Sequence, residues 1–473
     1  MRRESTSWIV TAQILALIVL ASTVSAIRVR TVHELGADPS AGALGPVTQI
    51  EPSIAIDPVA SSHLVAIYPQ DRWVDGTMAD SERTIGTATS RDGGQHWTSG
   101  SLPKLTPATG GPFERATDPV VTFGPDGQVY ALTLEWDRPP ACRTAIIVQR
   151  SDDGGDSFGD PIVLDDYQGC GLFGIFHNDK GWITVDRSVA SPRRGRVYAA
   201  WTQEDPTTLS VPIVLRFSDD EARTWSDLVT ISSTRRLADA VGVIPLVESN
   251  GDLTVVYDDY PLDGASRLVS QTSRDGGANF DPPVVIADDQ SLEVPGLRTK
   301  GINCTFPSAA VDPVRNALYV AWQDARYRTD GRNDIVVSRS TDGGQHWDTP
   351  RRVNGDTREM RNHFTPVVAA YDGIVAVTFR TRDGDAPWVH IRVGLSLDGG
   401  TTFRKPRRFG RRGDLRYAWI ASTGAPLLFL GDYAGLAADA DGLHAVWIRP
   451  AKPTGDSNDW HQTTWAARIE IRR

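Results

Sequence analysis

The chain has 473 residues, 43 of them Gly and 30 Pro, with 40% hydrophobic and 23% charged residues, a globular composition rich in turn-formers. Its net charge of −10 excludes nucleic acid as the default partner, because phosphate binding requires a basic face. Three Cys and nine His, with no Cys-x-x-Cys or His/Cys cluster, give no zinc signature.

Residues 1–26 read as an export signal: Arg2 and Arg3 are a positive start, Trp8 to Ala21 an apolar stretch, and Val24-Ser25-Ala26 a small-residue cleavage site. An uncleaved N-terminal anchor is the alternative. No other stretch approaches the ~20 apolar residues that cross a bilayer, so no membrane span is expected after cleavage. The expectation is a secreted or extracytoplasmic protein whose residues 27–473 form one domain. Export permits disulfides, and Cys142 and Cys170 are the expected pair because they flank the outer strands of one repeat, leaving Cys304 as the odd thiol.

Repeats organise the remainder. The pattern Ser-x-Asp-x-Gly-x-x-Trp/Phe occurs from Ser90, Ser151, Ser273, Ser340 and Ser396, and a sixth copy from Ser218 replaces the Gly with Ala222. The starts lie 61, 67, 55, 67 and 56 residues apart. Between them recur seven pairs of apolar strands joined by a turn, from PSIAIDPV at Pro52 to GLAADADG at Gly435. Asp57, Asp186, Asp312 and Asp439 fall at equivalent places in alternate copies, 129, 126 and 127 residues apart. Third strands precede each Asp motif and fourth strands follow it, so each unit is a four-stranded antiparallel meander without helical periodicity. Short strands at a period near 60 predict an all-β fold, a β-propeller of seven blades with six as the alternative. The seventh unit lacks a fourth strand, and AIRVRTVHEL near residue 30 is expected to fill that place and close the ring.

The Ser-x-Asp-x-Gly motifs are similar to the Asp-boxes, or bacterial neuraminidase repeats, and the chain resembles the sialidase superfamily of propellers along nearly all its mature length. The resemblance implies that each box is structural, its Ser and Asp bonding a tight hairpin on the face opposite the active site. It also implies an exo-α-sialidase-like glycoside hydrolase acting on terminal acidic sugars. Such enzymes clamp a carboxylate with three Arg, use a Tyr activated by a Glu as nucleophile, and use an Asp as acid/base.

Meander topology places residues just before first strands and just after second strands around one mouth of the central channel. Before first strands lie Glu51, Asp118, Asp179 with Lys180, His363, and Asp432 with Tyr433. After second strands lie Asp71 with Arg72, Glu135 with Asp137, Glu204, Asp258 with Asp259, Asp324 with Arg326, Arg380 with Arg382, and Arg449. On the resemblance, Tyr433 is the nucleophile and Glu51 or Glu135 its activator. Asp330 and Asp75 are acid/base candidates, and Arg72, Arg326 and Arg382 form the carboxylate triad, with Asp71 and Asp324 beside it. The family's Phe/Tyr-Arg-Ile-Pro is missing: the corresponding stretches read QIEPSI from Gln49 and CTFPSA from Cys304. That departure favours a non-catalytic propeller binding glycan or protein at the mouth, whereas the convergent Arg, Asp and Tyr favour an enzyme. The expected partner is a carbohydrate or glycoconjugate, and the expected state a monomer.

Two features stand apart. Arg404 to Arg416 packs seven Lys/Arg and reads as a solvated loop or as a contact for an anionic partner. No cofactor is expected; DDYPLDG, from Asp258 to Gly264, is an acidic turn or a structural Ca²⁺ loop.

Overall fold

The computed structural model describes residues 27–36, 48–70, 84–171, 177–260, 264–299, 305–355, 360–423, 425–453 and 461–471, with the side chains of 420–426 excepted. The expected export signal, Asp71, Arg72, Asp75 and Cys304 lie outside the described residues.

Seven four-stranded antiparallel sheets form a ring, the seven-bladed propeller read from the repeats. The innermost strands are Ser53–Ile56, Arg115–Phe123, Asn178–Val185, Ala240–Val247, Ser308–Asp312, Arg361–Tyr371 and Gly435–Asp439, here numbered as those of blades 1 to 7. Each touches the innermost strand of the next blade, and that of blade 7 touches that of blade 1. Arg28–Glu34 pairs antiparallel with Gln462–Glu470 and is the outermost strand of blade 7. The first residues after the expected signal therefore close the ring against its last strand. Among the described residues there is no α-helix; the helical turns are the 3₁₀ segments Pro107–Thr109 and Leu415–Tyr417.

Alternation along the strands explains the packing, since one face of each blade meets the blade before it and the other the blade after. Val65, Ile67 and Ile85 of blade 1 meet Val121, Phe123, Ala131 and Ile147 of blade 2. Val120, Leu132 and Ile146, on the other face of blade 2, meet Ile183, Ala199 and Trp201 of blade 3. Trp201 and Trp322 occupy equivalent second strands, are fully buried, and donate their indole N–H to Asn178 Oδ1 (3.0 Å) and Asp324 Oδ2 (2.7 Å).

The eight-residue motifs form the turns between third and fourth strands. In all six the Ser hydroxyl accepts from the N–H four residues on: Gly94, Gly155, Ala222, Gly277, Gly344 and Gly400 at 2.7–3.0 Å. That fifth residue is left-handed in every copy, which Gly adopts freely; Ala222 holds it at φ 68. The alternate-blade aspartates bind their own first hairpin, as Asp57 does Val59 N and Asp439 does Asp441 N (both 2.8 Å), and Asp312 also reaches the next blade, accepting from Asp372 N (3.0 Å) and Gly373 N (2.7 Å).

Three features differ from the sequence reading. The basic run is not a loop: Arg407–Asp414 is the outermost strand of blade 6, held by Phe409, which turns inward against Trp447. The outermost strands of blades 3 and 5 are only Val229–Thr230 and Arg351–Arg352. The connections between blades 4 and 5 and between blades 6 and 7 build an extra sheet, in which Leu297–Arg298 runs parallel to Ala425–Phe429, itself paired with Ile420–Thr423.

Candidate functional site

The innermost strands repeat one device at their start. Glu51, Asp118, Lys180 and Thr365 hold left-handed φ values of 47–48, and Gly242 one of 72. In blades 2, 3, 4 and 6 the residue lies in a β-bulge, between Thr117 and Val120, Asp179 and Trp182, Val241 and Ile244, and Phe364 and Val367. A bulge re-aims side chains, and left-handed backbone at Glu, Asp, Lys and Thr costs about 1–3 kcal/mol each, so the ring holds these positions against local preference. Phe306 and Tyr433 stand at the equivalent places of blades 5 and 7, six residues before Asp312 and Asp439 as Glu51 and Lys180 are before Asp57 and Asp186. The architecture thus supplies seven slots around the axis, filled by Glu51, Asp118, Lys180, Gly242, Phe306, Thr365 and Tyr433.

These side chains meet across the axis. The Lys180 Nζ lies 3.3 Å from the centre of the Tyr433 ring, 5.7 Å from that of Phe306 and 6.0 Å from that of Trp182. It stands 3.8 Å from Asp118 Oδ1 and has no hydrogen-bond partner, although the residue is only 5% exposed. An ammonium removed from water is held here by one carboxylate and the faces of three aromatics. The Tyr433 hydroxyl donates to the Pro119 carbonyl (3.1 Å), joining blade 7 to blade 2, and Asp432 N donates to Glu51 Oε1 (3.1 Å), joining blade 7 to blade 1.

A second cation arrives from the extra sheet. Arg298 Nη2 is 3.9 Å from Asp432 Oδ2, and its guanidinium lies over the Phe429 ring at 4.9 Å. Burial acts to lower its pKa but is outweighed by the charges of Asp432, Glu51, Asp179 and Asp118, which tie all four carboxyls to one cation. Asp179 is pushed up to about 6, first by burial and then by the negative charge of Asp432, with Lys180 and Arg298 opposing. Asp432 Oδ1 is buried without a hydrogen-bond partner. Arg380, buried and lowered to about 10 by desolvation, donates to the Leu430 carbonyl (3.0 Å) and steadies the segment leading into Asp432.

The mouth therefore gathers four carboxyls, two cations and a phenol, with one carboxyl protonated more readily than an ordinary Asp. Such a set can hold an anionic or hydroxyl-rich ligand and can move a proton at Asp179. Among the described residues no group of three His, Cys, Asp or Glu could hold a metal ion. In the acidic turn considered for Ca²⁺, the Asp258 carboxylate accepts from Thr305 N and from the Ser266 hydroxyl, each at 2.7 Å.

Of the residues read from the sequence, Glu51 and Tyr433 reach this cluster and several others do not. Arg326 is held by both oxygens of Asp324 (2.9 and 2.7 Å) and by the Asp288 carbonyl (2.7 Å), so this pair forms a corner of blade 5 in place of a substrate clamp. Asp324 is fully buried, also accepting the Trp322 indole N–H, which a ligand cannot displace without orphaning it. Arg382 donates to the Ala386 (2.9 Å) and Pro295 (2.7 Å) carbonyls, and its role is to pin the blade 4–5 connection. Asp330 is paired with Arg328, which holds its carboxyl below the usual range, the reverse of what an acid catalyst needs. Glu135 is fully buried between blades 1 and 2; neither oxygen has a hydrogen-bond partner, so it does not engage the Tyr433 hydroxyl, and desolvation raises it to about 8. Arg72, Asp71 and Asp75 fall outside the described residues. Cys142 and Cys170 form a disulfide that ties the loop between the second and third strands of blade 2 to the segment after its outermost strand.

Arg298 was missed because the blade 4–5 connection follows no repeat. The only signal was its unusual length and a lone LRTK run facing an acidic mouth.

No protein-family model matches the sequence, and no curated protein matches it. Among solved structures, the chain is similar to a Dyadobacter fermentans protein of unknown function, at 14% identity and a TM-score of 0.49 over 94% of this chain and 99% of that one. It is similar to an alpha-L-arabinanase of Penicillium chrysogenum complexed with arabinobiose, at 16% identity and a TM-score of 0.44 over 74% and 92%. It is also similar to a Trypanosoma rangeli sialidase, at 14% identity and a TM-score of 0.43 over 72% and 54%.

Proposed function

We propose that the channel mouth binds the end of a glycan and hydrolyses its glycosidic bond, with Asp179 as the proton donor and Lys180 and Arg298 holding an acidic group of the terminal sugar. The observation that carries this reading is the Asp179 carboxyl, raised to about 6 by burial and by the charge of Asp432 beside it. Glycoside hydrolysis uses two carboxyls whose surroundings push their protonation apart, one to protonate the leaving oxygen and one ionised opposite the developing positive charge. Asp432 and Asp118 are the candidates for the ionised partner, and Lys180 and Arg298 take the place of the three-Arg clamp. The expected export signal would put this activity on glycans outside the cytoplasm.

The sialidase-type form of the reading adds Tyr433 as the nucleophile. Its hydroxyl donates to the Pro119 carbonyl, so attack requires that bond to be released on substrate binding. A second reading, a mouth that binds glycan without cleaving it, is favoured by one observation: the Arg326 and Arg382 guanidiniums are engaged by protein groups.

Purified protein incubated with fluorogenic sialosides, uronides and arabinofuranosides separates the three. Turnover that Asp179→Asn removes and Tyr433→Phe retains supports hydrolysis without a Tyr nucleophile. Turnover lost in both variants supports the sialidase type. Saturable glycan binding with no turnover on any substrate establishes the binding reading instead.

A further inference from the structure

Away from the mouth, the outermost strand of blade 6 carries charge that the fold does not use. Arg404, Lys405, Arg407, Arg408, Arg411 and Arg412 are all exposed, and among the described residues none is paired with a carboxylate; the one ion pair of the run is Arg416 with Asp414. Arg408 stands directly opposite Arg392 on the neighbouring strand, a like-charge cross-strand pair that weakens a sheet left to itself. The field is felt locally: burial first, then the charges of Arg408 and Arg392, hold the His390 imidazole below its ordinary value. In a chain of net charge −10, such a row is not solubility decoration.

Beside this row, a cleft of about 620 Å³ opens between blades 6 and 7, lined by Val32, His33, Glu34, Gly410, Arg411 and Trp465. It combines an indole and an exposed carboxylate. The Arg412 guanidinium lies over the Trp388 ring at 3.6 Å and that of Arg449 over the Trp465 ring at 5.0 Å, with Arg449 Nε donating to the Arg412 carbonyl (3.1 Å), which ties the row to blade 7.

We propose that the outermost strand of blade 6 and this cleft form a docking surface for an acidic polysaccharide, separate from the channel mouth. The exposed cations run along one extended strand, with Arg407 and Arg411, and likewise Arg408 and Arg412, four residues or ~13 Å apart, an elongated row that matches a linear polyanion better than a compact ligand. An anionic bilayer fits less well, because no apolar side chain of the run is exposed for insertion; Phe409 and Leu415 are buried. Single-stranded nucleic acid fits less well, because Trp388, the aromatic on the row, is covered by Arg412 and Arg416 and offers no stacking platform. The cleft supplies what a sugar chain uses besides charge: the part of the Trp465 ring that Arg449 leaves open, to pack against ring C–H groups, and Glu34 to accept from hydroxyls. The surface does not depend on the chemistry at the mouth.

The test is binding of the full chain to dextran sulfate and polygalacturonate across a salt series, with neutral dextran, phosphatidylglycerol vesicles and single-stranded DNA as competitors. Both acidic polysaccharides should bind saturably and neutral dextran should not. The triple variant Arg408→Ala/Arg411→Ala/Arg412→Ala should bind at least ~10-fold more weakly, with the slope of log affinity against log salt reduced by about two to three. Its melting temperature should hold or rise, because a like-charge pair is removed. A triple of matched charge, Arg194→Ala/Arg223→Ala/Arg274→Ala on blades 3 and 4, should bind like the native protein. Trp465→Ala should weaken polysaccharide binding and leave any vesicle binding as it was. Absence of saturable binding, equal loss in the matched triple, or tighter binding to vesicles or DNA than to both polysaccharides would overturn the proposal.

Discussion

The Lys180 ammonium lies 3.3 Å from the centre of the Tyr433 ring, so that blade 3 and blade 7 meet at the propeller axis. The contact places a positive charge on the face of the one phenol in the cluster, with Asp118 3.8 Å from the same ammonium. It also gathers Lys180 with groups of three other blades, Asp118, Phe306 and Tyr433.

Replacing that charge is the first prediction. Lys180→Met keeps most of the buried volume and removes the ammonium. For a terminal sugar bearing a carboxylate, KM should rise on the order of 10- to 100-fold with a smaller change in kcat, as expected for a lost buried charge-assisted contact. A neutral glycoside of the same linkage should lose much less, and steady-state kinetics on the matched pair measures the difference.

The second concerns the hairpin turns. Asp153 accepts from Ser157 N (2.9 Å), from the Ser157 hydroxyl and from the Ser151 hydroxyl (2.7 Å). Burial opposes ionisation there, but those bonds hold the carboxyl at about 2. Because the folded value lies below the unfolded one, its contribution is present above about pH 4 and is lost as pH falls toward 2. Asp153→Ala should cost roughly 1–3 kcal/mol at neutral pH by denaturant titration, with kcat and KM on any substrate unchanged, since these turns lie on the face away from the mouth.

Glu135 makes the opposite prediction. Desolvation raises its folded value to about 8, so the neutral form is the folded form. Stability is full below the unfolded value near 4.5 and falls as pH rises toward 8, because only the unfolded chain ionises freely. Glu135→Gln should therefore be close to neutral at pH 4 and stabilising at pH 7, by on the order of 3 kcal/mol. Chemical denaturation at the two pH values gives the comparison.

Ring closure is the fourth. Arg28–Glu34 pairs along Glu470 to Trp465, and Leu35 is fully buried while its N–H donates to Thr464 O (2.8 Å). Removing residues 27–36 strips blade 7 of its outermost strand and exposes Ala466 and Ile469 beneath it. The melting temperature should fall by at least ~5 °C, the scale of a few kcal/mol in a domain this large. An unchanged melting curve would mean that the ring closes without this strand.

The architecture was legible because it is repeated. Six turns built on the same Ser and Asp, and seven strand pairs at a common spacing, each carry the same local message, and closing the ring needed only a strand for blade 7. The positions before the inner strands were legible for the same reason: Glu51, Asp118, Asp179, Lys180, Asp432 and Tyr433 occupy one register in successive repeats. What could not be read was where long side chains turn. Arg326 and Asp324 sit two residues apart at a strand end, and nothing in the order of residues says that they grip each other. Arg382 reaches back to the blade 4–5 connection, a segment that belongs to no repeat. That same irregular segment brings Arg298 to the mouth, so the departures from the repeat hid both where Arg382 is engaged and that Arg298 stands beside Asp432. The basic strand of blade 6 was obscured by charge: seven cations in thirteen residues look like a loop until Phe409 is seen turning inward.

The most direct measurement of the catalytic account is the pH dependence of kcat/KM for a cleavable acidic glycoside in the native protein and in Asp179→Asn. With Asp179 as proton donor, activity should hold below pH 6 and fall tenfold per unit above it, and Asp179→Asn should lose at least ~100-fold in rate together with that limb. A variant that keeps both the native rate and the falling limb would contradict the assignment of chemistry to the channel mouth.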